Sequence, residues 1–197
     1  MAEKWDDKVI ALAQDLIRSR SYSGEEDKVA AKLKEYMEKT GVYDDVTIDI
    51  YGNVIGHVKG SKPGPKILFD GHMDTVPVGN SAEWKHDPFA ASIEDGKLYG
   101  RGAADMKGAV AAFTVAGERF AKENGKEFAG DIYIAGVVHE ECFEGVAARK
   151  ISELVKPDYV VIGEASELNI KTGQRGRAEI VVETFGVPAH SANPEKV

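Results

Sequence analysis

The chain has 197 residues, 43% of them hydrophobic, and a formal net charge of −8. That is enough apolar material for one packed domain and part of another, and too much for a disordered chain. The acidic balance argues against nucleic acid as the main partner, and a single cysteine excludes an internal disulfide. The longest apolar-rich run, Gly108 to Gly117, is far too short to cross a bilayer. The N-terminus, Met1 to Lys8, is charged and has no apolar stretch of the signal-peptide kind, so a soluble cytoplasmic protein without a membrane partner is expected.

Trp5, Val9, Leu12 and Leu16 recur at helical spacing and predict an amphipathic helix over 5–19. A second helix is predicted to begin after Ser23. Ser23 and Glu26 fit a capping box, Val29, Leu33, Tyr36 and Met37 form the apolar face, and Gly41 ends it. Both helices read as scaffold. Val46, Ile48 and Ile50 alternate, Tyr51-Gly52-Asn53 turns the chain, and Val54 to Val58 reads as the returning strand. His57 lies among apolar neighbours and reads as structural or surface, not as a ligand. Lys62-Pro63-Gly64-Pro65 reads as a loop.

Ile67 to Pro77 is a short apolar strand ending in His72 and, two residues on, Asp74. Positions i and i+2 of a strand lie on one side, so both side chains face one space. An imidazole there suits a borderline metal such as zinc, and a neighbouring carboxylate can take the ring's other N–H and fix its tautomer. The loop from Val78 to Phe89 carries Trp84, His86 and Phe89. It lines a pocket or is a surface loop pinned by two buried aromatics, and the second reading is favoured. Ile93 to Leu98 is a predicted hairpin about Asp95-Gly96.

Gly100-Arg101-Gly102-Ala103-Ala104-Asp105-Met106-Lys107-Gly108 is a tight loop of small residues around one carboxylate. It lacks the Gly-Lys-Ser/Thr ending of a phosphate loop and any dinucleotide fingerprint. A helix from Lys107 to Glu123 follows, closed by Asn124-Gly125, with an Ala-rich face of Ala109, Ala111, Ala112 and Ala116 for packing on a sheet. Asp131 to Val138 is a near-continuous apolar strand that ends in His139-Glu140-Glu141-Cys142. A helix over Glu144–Val155 leads to another buried strand, Tyr159 to Ile162, which ends in Gly163-Glu164.

Three strands thus finish in metal-competent residues, and Asp105 sits in a loop that opens a helix. Sites in open α/β sheets collect at the carboxyl ends of strands. The expected class is α/β with a mixed, mostly parallel sheet. One domain is expected over 1–172 and the start of a second over 173–197, where Ala178 to Phe185 alternates like a strand with one exposed face.

These motifs resemble those of the dinuclear zinc peptidases and deacylases related to acetylornithine deacetylase, succinyl-diaminopimelate desuccinylase and glutamate carboxypeptidase. Within that group the chain most resembles the selenium-metabolism hydrolases. The resemblance runs through essentially the whole chain. It is carried by Gly71-His72-Met73-Asp74-Thr75-Val76-Pro77, Gly100-Arg101-Gly102 with Asp105-Met106-Lys107-Gly108, Glu140-Glu141, Gly163-Glu164 and Ala189-His190-Ser191.

The resemblance implies a three-layer α/β/α catalytic domain and the start of an α+β lid through which the family dimerises. It implies two zinc ions, with Co2+ or Mn2+ as substitutes. His72 and Glu164 would hold one ion and Glu141 the other, with Asp105 bridging and Asp74 orienting His72. Glu140 would be the general base that activates a metal-bridging water, and His190 a lid residue that reaches a partner subunit's site. A cis peptide is implied at Asp105–Met106. The implied activity is hydrolysis of an amide bond in an N-acyl amino acid or short peptide. Glutamate at 164, where some family peptidases carry aspartate, leans toward deacylases.

Two departures accompany the match. Ala165 stands where the family usually has proline. The family's sixth ligand is a histidine further downstream than residue 197, and His57, His86 and His139 do not match it. The chain as given is therefore expected to hold the second ion weakly or not at all and to have low activity. The alternative is a truncated, non-catalytic metal-binding domain. A phosphoesterase is disfavoured because no cluster of Arg or Lys surrounds the ligands. Arg175 and Arg177 read either as a site for a substrate carboxylate or as a solvated pair.

Overall fold

The computed structural model describes residues 4–143, 145–176, 178 and 180–186. The chain divides into two units, Met1–Ala165 and Ser166–Val197. The first unit opens with α1 (Trp5–Arg18) and α2 (Asp27–Thr40). Leu12, Leu16 and Ile17 of α1 and Val29, Leu33 and Met37 of α2 are buried, as their spacing predicts. Gly41 ends α2 in the left-handed conformation. The capping box does not form: Glu26 occupies the N-cap position without a side-chain cap bond, and the Ser23 hydroxyl is used elsewhere.

The sheet is built from β1 (Asp45–Ile48), β2 (Val54–Lys59), β3 (Lys62–His72), β6 (Ala129–Val137) and β7 (Tyr159–Ile162), in the order β1-β2-β6-β3-β7. β2 runs antiparallel to β1 and β6, whereas β3 is parallel to both β6 and β7. The hairpin β4 (Ser92–Glu94) and β5 (Lys97–Tyr99) stands apart as predicted, with Asp95 and Gly96 at positive φ in its turn. The helix α3 (Lys107–Asn124) packs on the face that carries Phe69, Gly71, Ile134 and Gly136. The opposite face is reached by α4 (Val146–Val155), where the Lys66 ammonium donates to the Val155 carbonyl. The result is helices on both sides of a mixed sheet, an α/β fold in three layers.

Several elements depart from the sequence reading. Lys62 to Pro65 is not a loop but the first part of β3, where a bulge between Lys62 and Lys66 carries the strand past two prolines that cannot donate to a ladder. Ala116 faces solvent, and the buried face of α3 is Val110, Ala111, Thr114, Val115 and Ala121. Strand β7 is exposed rather than buried, with Tyr159 and Ile162 at 62% and 60%. Among the described residues it pairs only with β3, and its outer edge meets no other strand. In the second unit, the described residues of 178–185 form no strand, and Ile180, Val181, Val182 and Phe185 are exposed. Alternation alone does not make a strand without a neighbour to take its backbone bonds.

The bulge in β3 rests on Gly130. Its φ is +90°, and a Cβ there would lie 2.0 Å from the Pro65 carbonyl oxygen. Both features exclude a side chain. Gly130→Ala is expected to cost more than about 2 kcal/mol, read as a lower urea midpoint at unchanged slope. Wild-type stability in the variant would show that the backbone here yields freely.

Candidate metal centre

The site lies where β3, β6 and β7 end. Asp70 pairs with Ile162 across β3 and β7, and the Gly163 amide donates to the Asp70 carbonyl. Continuing that register sets Glu164 opposite His72. The His72 Nε2 atom is 3.5 Å from Glu164 Oε1, 2.8 Å from Asp105 Oδ1 and 4.0 Å from Glu140 Oε2. The ring is 2% exposed, whereas the carboxylates around it reach solvent.

The other ring nitrogen shows how the strand end fixes the imidazole. His72 Nδ1 is 2.9 Å from the Asp74 main-chain carbonyl and 3.6 Å from its carboxylate. The carbonyl and the carboxylate of Asp74 thus both face Nδ1, the carbonyl being the nearer. The fully buried Asp74 carboxylate also accepts from the Ser23 hydroxyl at 2.7 Å and from the amides of Glu140 and Glu141, each at 3.1 Å.

Asp105 reaches the site from the loop before α3, and its peptide bond to Met106 is cis, as the resemblance implies. Two contacts seat this loop. Gly71 lets α3 approach, since a Cβ there would lie 2.8 Å from Met106 Cε and 2.9 Å from Val110 Cγ2. Fully buried Lys107 donates to the carbonyls of Leu16 and Ser19 at the end of α1, at 3.0 and 2.8 Å. A cation is well placed against the orphan carbonyls of a helix C-terminus.

The donor atoms form two sets, His72 with Glu140 and Glu164, and His72 with Asp105 and Glu141, each within 4.8 Å. All five residues singled out at the strand ends and in the Asp105 loop are thus brought together. One imidazole and four carboxylates form a donor set that suits divalent cations. The electrostatics agree with that. Burial, with the negative charges of Glu164, Glu141 and Asp74 and against the pull of His72, pushes Glu140 up to about 7. Glu141 and Glu164 are also raised, by burial first and by the charge of Asp105. Burial disfavours the charged His72 ring, but Asp74, through its carboxylate and carbonyl, and the charge of Glu164 prevail and raise it to about 10. Burial works against the Asp74 carboxylate too, yet the bonds from His72, Ser23, Glu141 and Glu140 hold it below the usual range.

The remaining candidates lie elsewhere. His190 and Arg177 fall outside the described residues, and Arg175 is exposed in the second unit. His57 is 3.1 Å from Asp131 and stacks on Tyr133, while His86 lies against Glu94 and Tyr99. The loop after Pro77 is pinned, with Trp84 donating to the Val78 carbonyl and covered by Arg101. Ser23 and Lys107 were missed as parts of the site. Ser23 carried only a capping signal in the sequence, and Lys107 none that separates it from a surface lysine.

Peptidase family M20/M25/M40 matches residues 68–196. The chain belongs to this peptidase family. It is 36% identical over 186 residues to the uncharacterized protein YgeY of Escherichia coli (strain K12), covering 93% of this chain and 45% of that protein. It is 33% identical over 199 residues to succinyl-diaminopimelate desuccinylase 2 of Ruegeria sp. (strain TM1040), covering 95% of this chain and 50% of that one. The M20 family metallo-carboxypeptidase Sso-CP2 from Sulfolobus solfataricus shares the fold, with a TM-score of 0.65 and 24% identity over 80% of this chain and 37% of that one. The chain spans about half the length of the curated relatives it matches. Among the described residues, no helix is long and apolar enough to cross a membrane.

A ligand imidazole must be neutral, so metal binding has to strip the proton that the carboxylates keep on His72. Zn2+ binding to the chain at pH 7 is expected to release at least about one proton, and apparent affinity to rise about tenfold per pH unit between pH 6.5 and 8. Calorimetry in buffers of different ionisation enthalpy reads this directly. Binding without proton release would show that His72 is not a ligand.

Proposed function

We propose that this M20 chain carries the metal-binding catalytic half of a zinc-dependent amide-bond hydrolase acting on N-acyl amino acids or short peptides. The observation that carries the reading is the pair of donor sets sharing His72 at the carboxyl ends of parallel strands. His72 and Glu164 would hold one ion and Glu141 the other, with Asp105 a ligand available to both. Zinc bound there would supply Lewis acidity toward the amide carbonyl and would lower the pKa of a bound water toward about 7.

The chain's own residues do the rest. Glu140, raised toward neutrality and partly exposed, is suited to accept a proton from the attacking water and return it to the leaving amine. Asp74 anchors the main chain beneath both glutamates, and its own carbonyl orients His72. The desuccinylase likeness and the glutamate at 164 favour an acyl group on an amino acid as the substrate. His190 would act from a lid domain shared in a homodimer. The domain boundary near residue 172, beyond the compact unit that ends at Ala165, belongs to the same reading.

Elemental analysis of the purified chain tests the assignment. Zinc is expected to bind at about one ion per chain, lost in Glu164→Ala and kept in Glu141→Ala. Glu140→Gln is expected to keep the metal and to lose about 10²- to 10⁴-fold in kcat on N-acyl amino acids. A chain that purifies and reconstitutes without metal would sink the catalytic reading and leave the fold intact. Metal loss in Glu140→Gln equal to that in Glu164→Ala would make Glu140 a ligand rather than the base.

A further inference from the structure

Strand β6 stops at Val137, yet the next four amides are not released to solvent. The Val138 amide donates to Asn53 Oδ1 at 3.0 Å, His139 to Glu26 Oε1 at 3.0 Å, and Glu140 and Glu141 to Asp74 Oδ1 and Oδ2 at 3.1 Å. All three acceptors are buried: Asn53 at 0%, Glu26 at 5% and Asp74 at 0%. They come from three separate segments of the first unit, so the turn is held from outside as well as by its own bond from the Phe143 amide to the His139 carbonyl at 2.9 Å.

Glu26 is the unexpected member. An N-cap position favours a short polar side chain that bonds back to its own helix, and Glu26 makes no such bond. A carboxylate this deep is costly unless it finds a donor. The donor it meets is the amide of His139, a residue in the left-handed conformation at φ +57°, whose ring Nδ1 also lies 3.9 Å from the same oxygen. Fixing that amide fixes the peptide plane before Glu140. In an extended continuation of β6, Glu140 and Glu141 would point to opposite sides. In the observed turn both donor sets draw on it, one through each glutamate.

We infer that Glu26 is a positioning residue for the metal centre, acting through the His139 amide to hold Glu140 and Glu141 on the same side. The inference rests on the reading of those two glutamates given above. Its requirement is an acceptor oxygen at the reach of a glutamate, not a negative charge. Glutamine therefore replaces Glu26, whereas alanine lacks the acceptor and aspartate is one methylene too short.

Amide hydrogen exchange on the metal-free chain, followed by NMR for wild type, Glu26→Gln, Glu26→Ala and Glu26→Asp, tests the contact without reference to metal. The amides of His139, Glu140 and Glu141 are expected to exchange at least about tenfold faster in the Ala and Asp variants and within about threefold of wild type in Gln, with β3 and central β6 amides unchanged. Competition titration with Zn2+ on the same proteins is expected to show affinity about ten- to a hundredfold weaker in Ala and Asp and restored in Gln. Equal protection in all four proteins overturns the contact, as does Gln behaving like Ala. Faster exchange with unchanged zinc affinity overturns the positioning role. If Glu26→Ala does not fold, the Asp and Gln pair decides on the same criteria. Wild type that binds no zinc while the exchange contrast holds would refute the metal reading and leave Glu26 as the anchor of the turn.

Discussion

One buried carboxylate ties the site together. Asp74 accepts from the Ser23 hydroxyl and from the amides of Glu140 and Glu141, and its own carbonyl receives the His72 ring. Four segments meet there: the connection between α1 and α2, the end of β3, the turn after β6, and through His72 the Asp105 loop. A carboxylate with no exposed surface is tolerable only because each oxygen is occupied. The same bonds that keep it ionised keep the two glutamates in place. Stability and geometry therefore depend on one group, and neither can be altered there alone.

The parallel strands supply the second constraint. Registry between β3 and β7 sets Glu164 opposite His72, and registry between β3 and β6 sets Val137 there. The site is built by strands that end level with one another, which is why His72 and Glu164, 92 residues apart in sequence, lie 3.5 Å apart. Asp105 enters from the side, on a loop held down by the buried Lys107 against the last carbonyls of α1. The helices that read as scaffold in the sequence thus reach the chemistry indirectly, α1 through Lys107 and α2 through Glu26.

The parts legible in the sequence were those with a local signal. Helical spacing in α1 and α2, the hairpin at Asp95-Gly96 and the strand ends at His72, Glu140 and Glu164 each follow from residues near one another. What was not legible depended on distant partners. Ser23 and Glu26 look like a capping box because the sequence shows their spacing and not Asp74 or His139. Lys62 to Pro65 looks like a loop because its prolines are local and the bulge opposite Gly130 is not. Tyr159 to Ile162 looks buried because apolar strands usually are, but burial depends on a neighbour beyond β7, and none stands there among the described residues. Residues 178–185 alternate correctly and still form no strand among those described, for the same want of a partner.

The electrostatics give the arrangement a direction. Assembling Asp105, Glu140, Glu141 and Glu164 around one imidazole brings like charges together, and the fold answers by raising three of those carboxyls and by keeping His72 protonated. Each raised group favours its protonated form in the folded chain. For His72 the contribution to stability is full below its unfolded value and disappears as pH rises through about 10. For Glu140 burial works the other way: the penalty is absent below about 4.5 and grows until about 7, where the folded group itself ionises. Near neutral pH the protonated ring thus offsets part of the negative charge gathered around it. The bonds from Ser23, Glu140 and Glu141 to Asp74 fix where the turn carries its two carboxylates, so the charge balance of the cluster and its geometry rest on the same groups.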